Sequence, residues 1–276
     1  MLIHVIHAKR QLSDNCTFSE IELLGEECVP TEEPKSNIAI NEEYIVSDSV
    51  FEICMPESLV DVPEQIIKRK SFAVSYNKVT KQPNWVAWQL TREHSDGSIG
   101  RNNSFYEDEE VPLPRATIED YKRSGWSRGH MCPAGDNKWD AVAMRQTFSL
   151  INVCPQDANL NSGVWNSIEI DCRNWAKKFG EIFIVCGPVF YKQDHEVIGS
   201  NEVYVPEAFF KVVLCLNGEP KGLGVVVRNT SGIKKKDLCY RSIDEVEEIT
   251  GIDFFPSLSD DLENRVESEI NLELWR

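Results

Sequence analysis

Apolar positions along this chain follow two periods. Between residues 162 and 179, Val164, Ile168, Cys172, Trp175 and Phe179 are spaced four, four, three and four apart, a single stripe that predicts a helix. Elsewhere the apolar residues gather in short blocks. The blocks at 182–190 (IFIVCGPVF), 208–216 and 221–228 predict three buried strands. Two further strands are predicted at 72–76 (FAVSY) and 85–90 (WVAWQL), joined by the polar stretch NKVTKQPN with its turn at Gln82-Pro83-Asn84. A Gly-Ser-Ile-Gly turn (97–100), a short helix near 116–123, a strand at 147–153 and two acidic helices near 243–250 and 258–269 complete an α+β pattern with no internal repeat. The first 66 residues are rich in apolar side chains but differ in texture. Alternating stretches such as Tyr44-Ile45-Val46 and Val50-Phe51-Glu52-Ile53-Cys54 predict a small, partly β module packed on the main domain, with 25–37 as its loop. The expected division is therefore 1–66 and 67–276.

Charge sharpens that division. The 276 residues carry 29 Lys+Arg against 45 Asp+Glu, a net charge of −16, which taken whole argues against binding a polyanion. The distribution argues otherwise: residues 1–66 carry −11, residues 244–276 carry −9, and the middle carries +4. The acidic ends have an ordinary use in solubility; the N-terminal module has a second expected use, slowing the approach of a polyanion by repulsion or by lying over the basic region.

Other signals exclude more than they assign. No uncharged apolar run nears the roughly 20 residues of a membrane-spanning helix, and MLIHVIHAKR has no secretory leader pattern, so the compartment is expected to be intracellular, or extracellular or periplasmic if a leader was removed. Nine cysteines cannot all pair within one chain, and no Cys-x-x-Cys occurs. Cys186 and Cys215 lie inside apolar runs and are expected to be buried small hydrophobes.

Candidate chemistry centres on one histidine. His4, His7, His94 and His195 are terminal or flanked by acidic residues and are expected on the surface, whereas His130 lies in Ser127-Arg128-Gly129-His130-Met131-Cys132-Pro133-Ala134-Gly135-Asp136. Downstream, Asn161 stands at the entrance of the predicted helix, where an N-cap is its ordinary role. Glu169 lies eight residues on, about 80° around the helix, so both can face one side. An amide oxygen and a carboxylate there suit a hard cation such as Mg²⁺.

These units resemble the DNA/RNA non-specific endonucleases of the ββα-metal superfamily. The family pattern is Asp-Arg-Gly-His, then Asn-x-x-Pro-Gln, then Leu-Asn-x-x-x-Trp-x-x-x-Glu. This chain has Arg128-Gly129-His130, Asn152 with Pro155-Gln156, and Leu160-Asn161 with Trp165 and Glu169 at those spacings. The resemblance reaches upstream to Trp85–Leu90 and downstream through Gly187-Pro188, Val205-Pro206, Phe209-Phe210-Lys211 and Thr250-Gly251 to Asp253-Phe254-Phe255-Pro256, covering about 67–265.

The resemblance implies a central antiparallel sheet flanked by helices, and a Mg²⁺-dependent endonuclease, with Mn²⁺ able to substitute, acting on both DNA and RNA. It implies His130 as general base, Asn161 as direct metal ligand, Glu169 as a carboxylate holding the ion's water, and Asn152 as a support for the histidine or the phosphate. Arg101 would meet the phosphate, and Arg128 joins the catalytic residues. The partners are then nucleic acids, with no membrane and with a homodimer allowed. One position departs: Ser127 stands where the family has Asp. Asp136 or Asp157 is the candidate substitute, and a weakened or inactive nucleic-acid-binding member of the fold is the alternative. A Cys/His metal or redox protein lacks four convergent ligands at zinc spacing. A phosphodiesterase for small molecules would use the same chemistry. Of the tryptophans, 85, 88, 126, 139, 165 and 175 are expected mainly in the core rather than stacking on bases.

Overall fold

The computed structural model describes residues 49–101, 103–233 and 235–276. The strands in chain order are β1 (Gln65–Lys68), β2 (Ala73–Asn77), β3 (Gln82–Thr91), β4 (Ser127–His130), β5 (Val153–Gln156) and β6 (Glu181–Val189). They continue with β7 (Val197–Ile198), β8 (Val203–Tyr204), β9 (Ala208–Cys215), β10 (Lys221–Arg228) and β11 (Tyr240–Arg241). The helices are α1 (Ser49–Cys54), α2 (Arg92–Ser95), α3 (Ile118–Tyr121), α4 (Ala141–Gln146) and α5 (Ala158–Leu160). Then come α6 (Asn166–Phe179), α7 (Ile243–Thr250) and α8 (Asp260–Glu267). Seven strands form one sheet in the order β1-β2-β3-β6-β9-β10-β11, antiparallel throughout.

Both faces of this sheet are covered, which explains why its strands read as continuous apolar blocks rather than alternations. Successive residues still point to opposite faces. On one face Val86 and Trp88 of β3 join Phe209 and Val213 of β9, packed under Ile168, Cys172 and Trp175 of α6. On the other, Trp85 and Ala87 join Phe210, Val212 and Leu214 beneath α1, α7 and α8. The apolar stripe expected on the long helix is the seam that docks α6.

Three local expectations are corrected. Gln82 and Pro83 are in β3, not in a turn: Pro83 lies opposite Tyr76 where a bulge shifts the register, a place a strand tolerates a residue without N–H. The turn is Lys78–Lys81 instead, with Lys81 at positive φ. Residues 147–148 are a turn, Ser149 bridges to Tyr106 and Leu150–Asn152 form a short 3₁₀ segment, so the strand starts only at Val153. The domain boundary at 66 falls inside β1, and α1 contributes the fully buried Cys54 to the core, so residues 49–66 are part of the sheet's body. The remainder of the acidic module, with His4, His7, Cys16 and Cys28, lies outside the described residues. Among the described residues the cysteines are buried, and no helix is long and apolar enough to cross a membrane.

Candidate active site

β4 and β5 pair as a separate two-stranded unit followed by the long helix, a ββα arrangement. Gly129 makes the pairing possible: a Cβ there would lie 2.2 Å from Gln156 Oε1. This unit and the segment carrying Arg101 enclose a cavity of about 390 Å³. Arg101, Arg128, His130, Asn161, Glu169 and Arg173 all line it.

His130 ends β4 and is 8% exposed. Its ring packs against Phe105, with centroids 5.1 Å apart, and meets Phe148 edge-on at 4.8 Å. Each phenyl ring also carries a guanidinium, Arg128 over Phe105 at 4.4 Å and Arg101 over Phe148 at 5.5 Å. The result is a chain of contacts running cation, ring, imidazole, ring, cation. Burial first, and the charges of Arg101 and Arg128 second, push the His130 imidazole down to about 3. Its Nε2 is buried without a hydrogen-bond partner among the described residues. The ring lines the cavity and is neutral near pH 7, so its lone pair is available, at a basicity well below that of a free imidazole; the negative charge of a bound phosphodiester would raise it.

Asn161 is not an N-cap. The cap is Asp157, whose carboxylate accepts from the backbone N–H groups of Asn159 and Leu160, so the helix begins earlier than expected. Asn161 instead opens the segment Asn161–Trp165, which is kinked at Gly163 (φ −102°, ψ −112°) and leads into α6. Released from capping, the Asn161 amide donates to Ser127 Oγ at 3.2 Å, and Ser127 Oγ donates to the Gln156 carbonyl at 2.6 Å. With its nitrogen turned to Ser127, Asn161 keeps Oδ1 for a ligand. Glu169, half-buried in the first turn of α6, is pushed up to about 7, by burial first and Asp136 next, against the pull of Lys211, Arg173 and Arg101. An amide oxygen and a carboxylate on one wall are the donor set of a hard divalent cation that keeps waters, so the residues present fit Mg²⁺.

Neither aspartate proposed to replace the missing carboxylate does so. Asp157 is spent on the cap, and Asp136, 3% exposed, is held by Arg173 at 2.9 Å and by Trp88 Nε1 at 3.2 Å. Asn152 is set apart from the other candidates: it is fully buried and does not line the cavity. Its Oδ1 accepts from Cys132 N at 2.8 Å, and its Nδ2 donates to the carbonyls of Cys132 and Thr147, both at 2.9 Å. It fastens the loop just after His130 and so serves as a support.

Arg173, Phe105 and Phe148 were not anticipated. Arg173 had a signal, since it lies four residues after Glu169 on the same helix face; the two phenylalanines had none, because only the fold brings them to His130. Lys211 is 1% exposed beneath the site, with Nζ 4.9 Å from the Trp88 ring and 4.8 Å from Trp165. The expected surface positions of His94 and His195 are also corrected. His94 stacks on Trp139 at 4.7 Å, and the His195 ring is packed in with its Nδ1 3.0 Å from Glu207. Both rings are held by specific partners.

Residues 50–261 match the family model described as DNA/RNA non-specific endonuclease. The chain is 37% identical over 206 residues to the mitochondrial nuclease EXOG of Xenopus laevis, covering 68% of this chain and 58% of that protein. It is 34% identical over 201 residues to the mitochondrial nuclease of Saccharomyces cerevisiae, covering 67% and 60%. The match thus spans somewhat more than half the length of these relatives. Its fold is similar to the crystal structure of the EndoG/EndoGI complex, with a TM-score of 0.69 and 27% identity over 76% of this chain and 91% of that one.

Proposed function

The chain belongs to the DNA/RNA non-specific endonuclease family, and from that premise we propose that it is a metal-dependent nuclease cleaving phosphodiester bonds of DNA and RNA with His130 as general base. The contact chain around His130 carries this reading. It sets two guanidiniums and a neutral imidazole beside one cavity, the positive charge and the proton acceptor that phosphodiester hydrolysis calls for.

In the proposed reaction, Arg101, Arg128 and Arg173 bind and orient the phosphate. A water oxygen attacks phosphorus as its proton passes to the His130 imidazole, and the P–O bond to the departing sugar breaks, its electron pair staying on the sugar oxygen, which takes a proton from solvent. The two phenyl rings hold the imidazole in place and keep bulk water off its buried face. Asn161 Oδ1 and Glu169 would hold Mg²⁺, directly and through its waters, and the ion would supply positive charge where the phosphate oxygens become more negative. Ser127 orients Asn161 through a neutral hydroxyl, which supports an active enzyme over a weakened one. Incubating purified protein with supercoiled plasmid and with single-stranded RNA, with Mg²⁺ and with EDTA, tests the reading. Cleavage of both, abolished by EDTA, is expected; intact substrates in Mg²⁺ refute it.

A further inference from the structure

The face of the sheet opposite the cavity carries a second group of titratable side chains that hydrolysis does not use. Asp244 and Glu247 lie one turn apart on α7, and Glu267 is the last residue of α8. One carboxylate oxygen from each lies within 4.8 Å of the other two. Three carboxylates converging is unremarkable on a surface, but Glu267 is 4% exposed and its Oε1 has no hydrogen-bond partner among the described residues. It also stands at the C-terminal end of a helix, where the backbone dipole disfavours an anion. Burial first, and then the carboxylates of Glu247, Glu263, Asp244 and Asp253, push it up to about 9. A buried acid in such surroundings calls for a proton or a cation.

The geometry suits a cation. Oxygens bound to Ca²⁺ at about 2.3–2.6 Å lie up to roughly 5 Å apart across the ion, which spans this triad. Glu247 Oε1 accepts from the Phe254 N–H at 2.7 Å, leaving its second oxygen for a ligand. Asp244 is exposed and provides an entry from solvent, with water free to complete the shell. α8 is pressed onto β10 at Gly222, where a Cβ would meet the Val266 carbonyl at 2.2 Å, so the backbone next to Glu267 is fixed in place. We propose that Asp244, Glu247 and Glu267 form a structural binding site for a hard divalent cation of Ca²⁺ size that ties α7 to α8. This site is independent of the catalytic reading and lies across the sheet from it.

The test uses the full chain carrying Asn161→Ala, which removes the proposed ligand of the catalytic ion. After chelator treatment it is titrated with Ca²⁺ by calorimetry, and its thermal midpoint is measured with and without Ca²⁺. Saturable binding and a raised midpoint are expected. Adding Glu267→Gln should weaken Ca²⁺ binding about tenfold or more and remove the shift, because charge count sets affinity at such sites. Asp244→Asn, at an exposed position, should do the same and keeps the test valid if Glu267→Gln does not fold. Absence of a Ca²⁺ shift in the Asn161→Ala chain, or unchanged binding in both carboxylate variants, would overturn the proposal.

Discussion

Asn161 Nδ2 donates to Ser127 Oγ at 3.2 Å, joining the proposed metal ligand to the residue that stands where the family has aspartate. Ser127→Ala removes that acceptor, together with the hydroxyl's bond to the Gln156 carbonyl. Partners that orient a ligand typically contribute about 10–100-fold in metal affinity or activity, so the Mg²⁺ concentration for half-maximal cleavage should rise by that order. Ser127→Asp keeps an acceptor for Asn161 and should lose less. Identical Mg²⁺ dependence in the parent and the alanine variant would show that Ser127 does not position Asn161.

His130 should titrate far from where a free imidazole does. With its pKa pushed down to about 3, it stays neutral through the pH range in which an unfolded chain's histidine takes up a proton. Stability from this group is therefore fully present above about pH 6.5 and is lost as pH falls toward 3. In NMR titrations the His130 ring should not protonate near pH 6.5, and Arg128→Gln should raise its pKa by removing a nearby positive charge. A normal titration in the parent protein would contradict the packing described.

Glu267 predicts the opposite slope. Its pKa is raised to about 9, so the folded protein holds a proton that the unfolded chain releases above about pH 4.5. In chelator, that contribution is present at low pH and lost as pH rises through 9. Glu267→Gln should remove this slope and be more stable than the parent at alkaline pH, as measured by urea denaturation at several pH values. A parent and variant that respond identically would refute it.

Gly129 and Asn152 hold the histidine from two sides. Gly129→Ala forces a Cβ to within 2.2 Å of Gln156 Oε1 and should cost about 1–3 kcal/mol while displacing His130. Asn152→Ala leaves Cys132 N and two carbonyls without their partners, at about 1–3 kcal/mol for each group left buried and unsatisfied. Thermal denaturation checks both, and variants as stable as the parent would contradict these contacts.

Sequence pattern revealed most of the frame because β6, β9 and β10 are buried on both faces and α6 on one, so their apolar spacing records their packing directly. Pro83 misled because proline in a polar stretch reads as a turn, whereas a bulge at Asn84 in its own strand accommodates it. Asn161 misled as a cap because Asp157, four residues earlier, already fills that role. The site residues within β4 and the long helix were legible as a motif resemblance. Phe105 and Phe148 were not, since residues separated by 43 positions along the chain meet only in the fold; Arg101 and Arg128, expected in the site, lie over those rings.

The central claim is that His130 accepts the proton of the attacking water, and single-turnover plasmid cleavage by His130→Ala in Mg²⁺ tests it most directly. General-base catalysis typically contributes about 10²–10⁴-fold, so the rate should fall by that order while circular dichroism remains unchanged. Added imidazole, entering the space between Phe105 and Phe148, should restore part of it. A variant that is folded and cleaves at nearly the parent rate would contradict the mechanism.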